Sequence, residues 1–368
     1  MNEYERPVFF HLMEYASKAE GDVIDMVSGD PDWEPPTALR EGLREYADAD
    51  VDEFQYPPSH GLEELRAEIA DRRGVDIERV LITNGAGEAN YIATVEALRE
   101  LNGSEVIIAD PVYPYYYNRI QMLDATPRLV SCAADGSLDP EAVREAASEE
   151  TAAICICSPN NPTGAVYGGA VKRELLEIAE ANDALFISDE VYEQFVYEDG
   201  AFESALSFDS DRLVVTNSFS KAMAITGFRV GYAILPEWLV GPSRTRHMLT
   251  NVAGSRPSQY AVLRALRETP ESYHERNRAM LDERIDRFCE ALDAAGAEYT
   301  RPRGSFYVMA RFESYPGTLE NVERLIDDVG VAGMPGDAFS SSRADWLRFA
   351  LVTPRVEEAA ERLAAYFS

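Results

Sequence analysis

The chain has 368 residues, 46% hydrophobic and 27% charged, which is enough apolar content for a sizeable core at a length that points to two domains. That composition excludes a collagen-like, low-complexity or wholly disordered chain. Its 65 acidic residues against 34 basic ones leave a net charge of -31, a surface that repels nucleic acid phosphates and anionic lipid, so neither is expected as a partner.

The N-terminal run MNEYERPVFFHLMEYASKAEG has no basic stretch followed by an apolar core of signal-peptide length. No segment approaches the roughly 20 apolar residues needed to span a bilayer, so a cytoplasmic location is expected. Strand-like runs follow at 80–83 (VLIT), 105–110 (EVIIAD), 152–157 (AAICIC), 184–189 (ALFISD), 212–218 (RLVVTNS) and 229–235 (RVGYAIL). Amphipathic stretches at 88–101 and 169–183 lie between them, and this alternation predicts βαβ units with a mostly parallel sheet covered on both faces. From about residue 272 the character changes. Leu281, Ile285, Phe288 and Leu292 form one stripe of a long helix, and shorter strands (SFYVMARF, WLRFALV) and a final helix follow. The expected division is a large α/β domain over 32–242 and a smaller α+β domain from 1–31 and 243–368.

Only three of the basic residues are lysines, Lys18, Lys172 and Lys221. A dispersed acidic surface with so little lysine resembles proteins of salt-loving microbes, in which high salt screens the self-repulsion. Four cysteines in a chain this long do not make a disulfide framework. Cys155 and Cys157 alternate with isoleucines and are expected in a strand core rather than on a metal; no metal is expected.

The unusual polar segments repeatedly follow strand-like runs. TNGAGE comes after Ile82, DPVYPYYY after Ala109, SPNNPTG after Cys157, DEVY after Ser188, and SFSK closes RLVVTNS. In open α/β sheets ligands bind beyond the carboxyl ends of parallel strands. Singly, each has an ordinary explanation: Asn84-Gly85 is a common turn, Asn161-Pro162 a common loop opener, and Asp189 and Glu190 strand-end acids. Together they suit pyridoxal phosphate chemistry, which needs a lysine for the cofactor's aldehyde and a carboxylate facing its ring nitrogen. Lys221 and Asp189 fill those places. Asn161 and Tyr192 are suited to the phenolic oxygen, and Tyr113 to stacking on the ring. Gly85-Ala86-Gly87 opens a helix whose N-terminus favours an anion, with Ser218 and Arg229 as further phosphate donors.

These motifs, with the late WLRFALV, resemble the class I/II pyridoxal phosphate-dependent aminotransferases of fold type I, from VSGDPDW to the C-terminus. The resemblance implies Lys221, Asp189, Tyr192 and Asn161 as catalytic residues, with Tyr113, Ala86, Gly87, Ser218 and Arg229 also binding cofactor. It implies Arg348 as the grip on the substrate α-carboxylate, aided by the backbone at Gly29. It further implies a homodimer in which Tyr56 crosses to the partner's phosphate site. Gly87 departs from the Ser or Thr often found in that loop, and Arg256 stands where many relatives carry a small or polar residue. Arg256 is either a reader of a distal acidic group or an ordinary interface arginine. The run Tyr115, Tyr116, Tyr117 hints at an aromatic side-chain pocket, or at packing. The expected activity moves an amino group between an amino acid and a 2-oxo acid by ping-pong. The alternatives are lyase, decarboxylase or synthase chemistry on the same scaffold, and a cofactor-sensing regulatory module, for which no basic helix-turn-helix segment is present.

Overall fold

The computed structural model describes residues 8–367; residues 1–7 of the expected smaller domain lie outside them. Seven strands form the central sheet: β1 (Val80–Thr83), β2 (Glu105–Asp110), β3 (Thr126–Ser131), β4 (Thr151–Cys157), β5 (Leu185–Asp189), β6 (Leu213–Ser218) and β7 (Gly231–Ile234). Their order across the sheet is β1-β7-β6-β5-β4-β2-β3. Only β7 runs against its neighbours. Every residue of β4 and β5 is buried, because helices cover both faces and each strand must be apolar on both sides. Alternate residues feed opposite cores: Cys155, Cys157, Leu185 and Ile187 on one face, Ile154, Ile156 and Phe186 on the other. Cys155 and Cys157 are thus core residues, as their alternation with isoleucine suggests.

β3 is an element the sequence did not announce. Only Val130 of its residues is buried, so this edge strand carries no apolar alternation. The helices Glu237–Asn251 and Arg256–Glu268 were likewise unread.

Beyond the central sheet, strands Glu298–Tyr299, Tyr307–Arg311, Met334–Pro335 and Leu347–Ala350 make a four-stranded antiparallel sheet. It shares a core with Leu12, Ile24 and Met26 near one end of the chain and Leu363 near the other. The helix Glu271–Ala294 joins the two halves. Leu281 packs into the central-sheet core, whereas Ile285, Phe288 and Leu292 enter the second. Ala261, Val262 and Ala265 of the helix Arg256–Glu268 pack with Val80, Ile82 and Tyr232 of the central sheet, because the apolar face of this helix closes over the β1–β7 end. No helix among the described residues is long and apolar enough to cross a membrane.

Candidate active site

Strand register brings the polar segments level. Cys157 lies opposite Asp189, Asp189 opposite Thr216, and Ser218 opposite Gly231, which also faces Thr83. The residues just past these positions therefore gather at one end of the sheet, where open α/β sheets form their ligand clefts.

The three lysines occupy different environments. Lys18 is exposed on the helix Val8–Lys18 and pairs with Glu14. Lys172 is fully buried, 3.1 Å from Glu190 and over the Phe202 ring, so its amine is committed to an internal ion pair. Lys221 sits at the end of β6, in the short helix Phe219–Ala222, and its Nζ donates to the Gly29 carbonyl at 2.8 Å. Burial pulls its pKa down to about 8, against the pull of Asp30 and with the help of Arg229 and Arg348. A desolvated amine whose pKa is lowered in this way gives up its proton more readily than an exposed lysine.

Asp189 is buried at the end of β5. Its Oδ1 accepts from the Val191 N–H at 3.0 Å, and its Oδ2 accepts from Asn90 Nδ2 and the Tyr116 hydroxyl. Burial raises its pKa, and these donors oppose the rise. The Tyr192 hydroxyl lies 3.0 Å from that of Tyr307. Burial also pushes the Tyr113 phenol up; its ring centroid stands 4.7 Å from that of Tyr115.

At the other end of the cleft, Gly85 caps the helix Ala86–Glu100 with φ +81, and a Cβ there would come within 2.5 Å of Arg229 Nη2. Gly85 therefore answers both a backbone demand and a close approach. Arg229 donates to the Thr226 and Asn84 carbonyls, each at 2.9 Å. A Cβ at Gly87 would stand in open space, so the missing side chain widens the opening without relieving a clash. Ala86 and Gly87 lie in the first helical turn, and Ser218 is buried at the end of β6, across from Gly231.

Arg348, on the strand Leu347–Ala350, is 2% exposed. Its Nη1 donates to Asn161 Oδ1 at 3.4 Å, its Nη2 donates to the Val27 carbonyl, and its Nε has no partner. The Tyr307 ring packs 4.5 Å from the guanidinium. No carboxylate pairs with Arg348 among the described residues, although a buried cation normally demands one.

The structure brings together Lys221, Gly29, Asn161 and Arg348, links the Asp189 carboxylate to three donors, and joins Tyr192 to Tyr307. It does not bring Tyr56 into the cleft of its own chain: that side chain is 82% exposed. Arg256 pairs with Glu53 and also donates to the Asp52 and Gln55 carbonyls. It pins the segment leading to Tyr56. Tyr116 turns to Asp189, which removes it from the aromatic pocket suggested by the run 115–117.

Three site residues escaped the sequence reading. Tyr307 was seen only as part of a strand; the signal was Gly29, where a Cβ would meet the Tyr307 hydroxyl at 2.1 Å. Asn90 was read as one residue of an amphipathic helix, although an amide amid its buried alanines was the clue. Ser220, beside Lys221, has a buried Oγ without a partner.

Residues 21–363 match the family model described as aminotransferase class I and II. The chain is 32% identical to an aspartate aminotransferase of Pyrococcus horikoshii over 94% of this chain and 90% of that protein. It is 29% identical to aromatic-amino-acid aminotransferase 2 of Thermococcus litoralis over 96% of this chain and 93% of that one. The solved structure of Thermus thermophilus aspartate aminotransferase with maleate superposes with a TM-score of 0.90 at 28% identity, covering 98% and 97% of the two chains. On the strength of a family match over residues 21–363 and relatives of about 30% identity along nearly the whole chain, the chain belongs to the class I and II aminotransferases, enzymes that normally work with pyridoxal phosphate and transfer amino groups by ping-pong.

Proposed function

We propose that this cleft binds pyridoxal 5′-phosphate and that Lys221, Asp189, Asn161 and Tyr192 act on it as the sequence implies. The observation that carries the reading is the environment of Lys221, the one lysine whose amine lies in the strand-end cleft, its pKa lowered, against a backbone carbonyl. The donor set fits the cofactor. Ser220 Oγ is buried without a partner, Ser218 and Arg229 stand near the helix N-terminus, and Gly85 keeps that approach clear of a side chain. These groups, with the N–H groups of Ala86 and Gly87, would hold the phosphate.

When bound, pyridoxal phosphate accepts the electron pair released as a bond at the substrate Cα breaks. The chain supplies the rest. Arg348 presents its guanidinium to the substrate α-carboxylate, and the Gly29 backbone lies beside it. Lys221 would hold the cofactor's aldehyde, and its Nζ would be the group that takes and returns a proton at the substrate Cα, a task suited to an amine titrating near working pH. Asp189, as a carboxylate, would accept from the ring nitrogen. Asn161 and Tyr192 would donate to the phenolic oxygen, and Tyr113 would pack against the ring.

The active unit in this reading is a homodimer completed by Tyr56. Its support is the exposure of Tyr56, Val51 and Phe54, with Leu249 and Val252 exposed shortly before Arg256. A two-part organisation meeting along Glu271–Ala294 is supported by the two cores that helix enters. A cytoplasmic setting is in keeping with the four unpaired cysteines, and a salt-rich one with the net charge of -31.

A single-turnover experiment tests the reaction. Cofactor-loaded protein mixed with a panel of amino acids, without acceptor, is expected to release one equivalent of 2-oxo acid per site and stop. Adding a 2-oxo acid is expected to restore the starting absorption. Sustained product formation with no acceptor would reject transamination in favour of a lyase or decarboxylase, and the panel identifies the donor.

A further inference from the structure

Taking Asp189 out of water disfavours its ionised form, yet a ring-nitrogen partner is useful only as a carboxylate. The arrangement around it answers this conflict from three directions. The Val191 N–H reaches Oδ1 from its own strand end at 3.0 Å, and the Tyr116 hydroxyl reaches Oδ2 from the helix Pro114–Met122. Asn90 Nδ2 reaches the same Oδ2 from the helix Ala86–Glu100. The Asn90 amide has only one way to lie against an ionised Asp189: a carboxylate only accepts, so the NH₂ group faces it, and Asn90 Oδ1 is left to accept from the Thr216 hydroxyl at 2.7 Å. Thr216 is itself the register partner of Asp189 on β6. Asn90, Tyr116, Thr216 and Asp189 are all buried. Both side-chain donors converge on one oxygen, which leaves Oδ1, with a single backbone donor, free to accept a further proton donor.

We propose that Tyr116 and Asn90 are positioning residues that keep Asp189 ionised and turn Oδ1 toward the cleft, with Thr216 fixing the Asn90 amide. Asn90 lies one turn along the helix whose first turn is Gly85-Ala86-Gly87. A single rigid element therefore registers both the phosphate end and the ring-nitrogen end of the site. This rests on the reading of Asp189 as the ring-nitrogen partner. The other titratable groups facing the cluster are Arg119, whose guanidinium lies 5.9 Å from the Tyr116 ring, and the thiols of Cys155 and Cys157 on β4. Arg119 favours the carboxylate, and the thiols are held neutral by burial.

The test measures the dissociation constant of pyridoxal 5′-phosphate against pH for the wild type, Tyr116→Phe, Asn90→Ala and Thr216→Val, each alone and combined with Asp189→Ala. Tyr116→Phe keeps the ring in the core, so it is the primary variant, and thermal melts report folding. Losing a hydrogen bond to a charged group is expected to move the acid limb of the affinity profile up by about one to two pH units. Thr216→Val is expected to act in the same direction and less. In the Asp189→Ala background the second substitution is expected to change neither affinity nor profile. If Tyr116→Phe weakens cofactor binding equally with and without Asp189, or leaves the acid limb unmoved, the proposal is overturned. If Asp189→Ala itself leaves cofactor affinity unchanged, the underlying reading of Asp189 fails instead.

Discussion

Replacing Arg348 by lysine keeps a positive charge and removes a planar fork. In the folded chain Nη2 is held by the Val27 carbonyl and Nη1 by Asn161, while Nε points to no partner and Tyr307 braces the guanidinium plane at 4.5 Å. A carboxylate received by this group would gain parallel charged hydrogen bonds, of which a lysine ammonium supplies one. A lysine would also have to divide the donors of one tetrahedral nitrogen between the Val27 carbonyl and the substrate, without the planar spacing of the guanidinium. Losing one charged hydrogen bond costs about 2–3 kcal/mol, which corresponds to about 30- to 140-fold weaker amino-acid binding. Cofactor affinity should be nearly unchanged, since Arg348 is assigned to the substrate. Spectral titration of the loaded protein with amino acid, beside equilibrium dialysis of the cofactor, separates the two constants. An unaltered amino-acid constant would refute the assignment, and an equal loss in both would show that Arg348 merely supports the cleft.

Lys221 has a folded pKa near 8, below its ordinary 10.5, so between those values the folded chain binds fewer protons than the unfolded one. Its ionisation therefore weighs against folding at low pH, and stability should rise as pH climbs through that window. Lys221→Met is expected to stabilise the cofactor-free protein at pH 7, with the gain fading toward pH 10.5; melts showing a gain independent of pH would contradict this. With 65 acids against 34 bases, the melting midpoint is expected to climb across a salt series as repulsion is screened, and a flat or falling midpoint defeats the salt-adapted reading. Mixing Tyr56→Phe subunits with Lys221→Ala subunits should restore part of the lost activity, because a mixed dimer gathers both defects into one site and leaves the other whole. No recovery after verified subunit exchange means that Tyr56 serves its own chain.

The central sheet was legible because its strands are buried on both faces and so read as continuous apolar runs; β4 and β5 lie within a residue of where those runs place them. β3 was not, since an edge strand that buries only Val130 carries too little apolar pattern. The strand-end motifs could be read because catalysis puts unusual residues where ordinary turns would do. Asn90 and Tyr307 could not, because their roles depend on contacts across 99 and 115 residues of sequence. The partners of Arg256 were likewise out of reach, because its pairing with Glu53 spans 203 residues of sequence.

Borohydride reduction of the cofactor-loaded protein, followed by peptide mapping, tests the central claim most directly. The reduced cofactor is expected on Lys221 alone, because Lys172 is buried against Glu190 and Lys18 is exposed on the helix Val8–Lys18. A label on Lys18 or Lys172, or none on Lys221, would contradict the account.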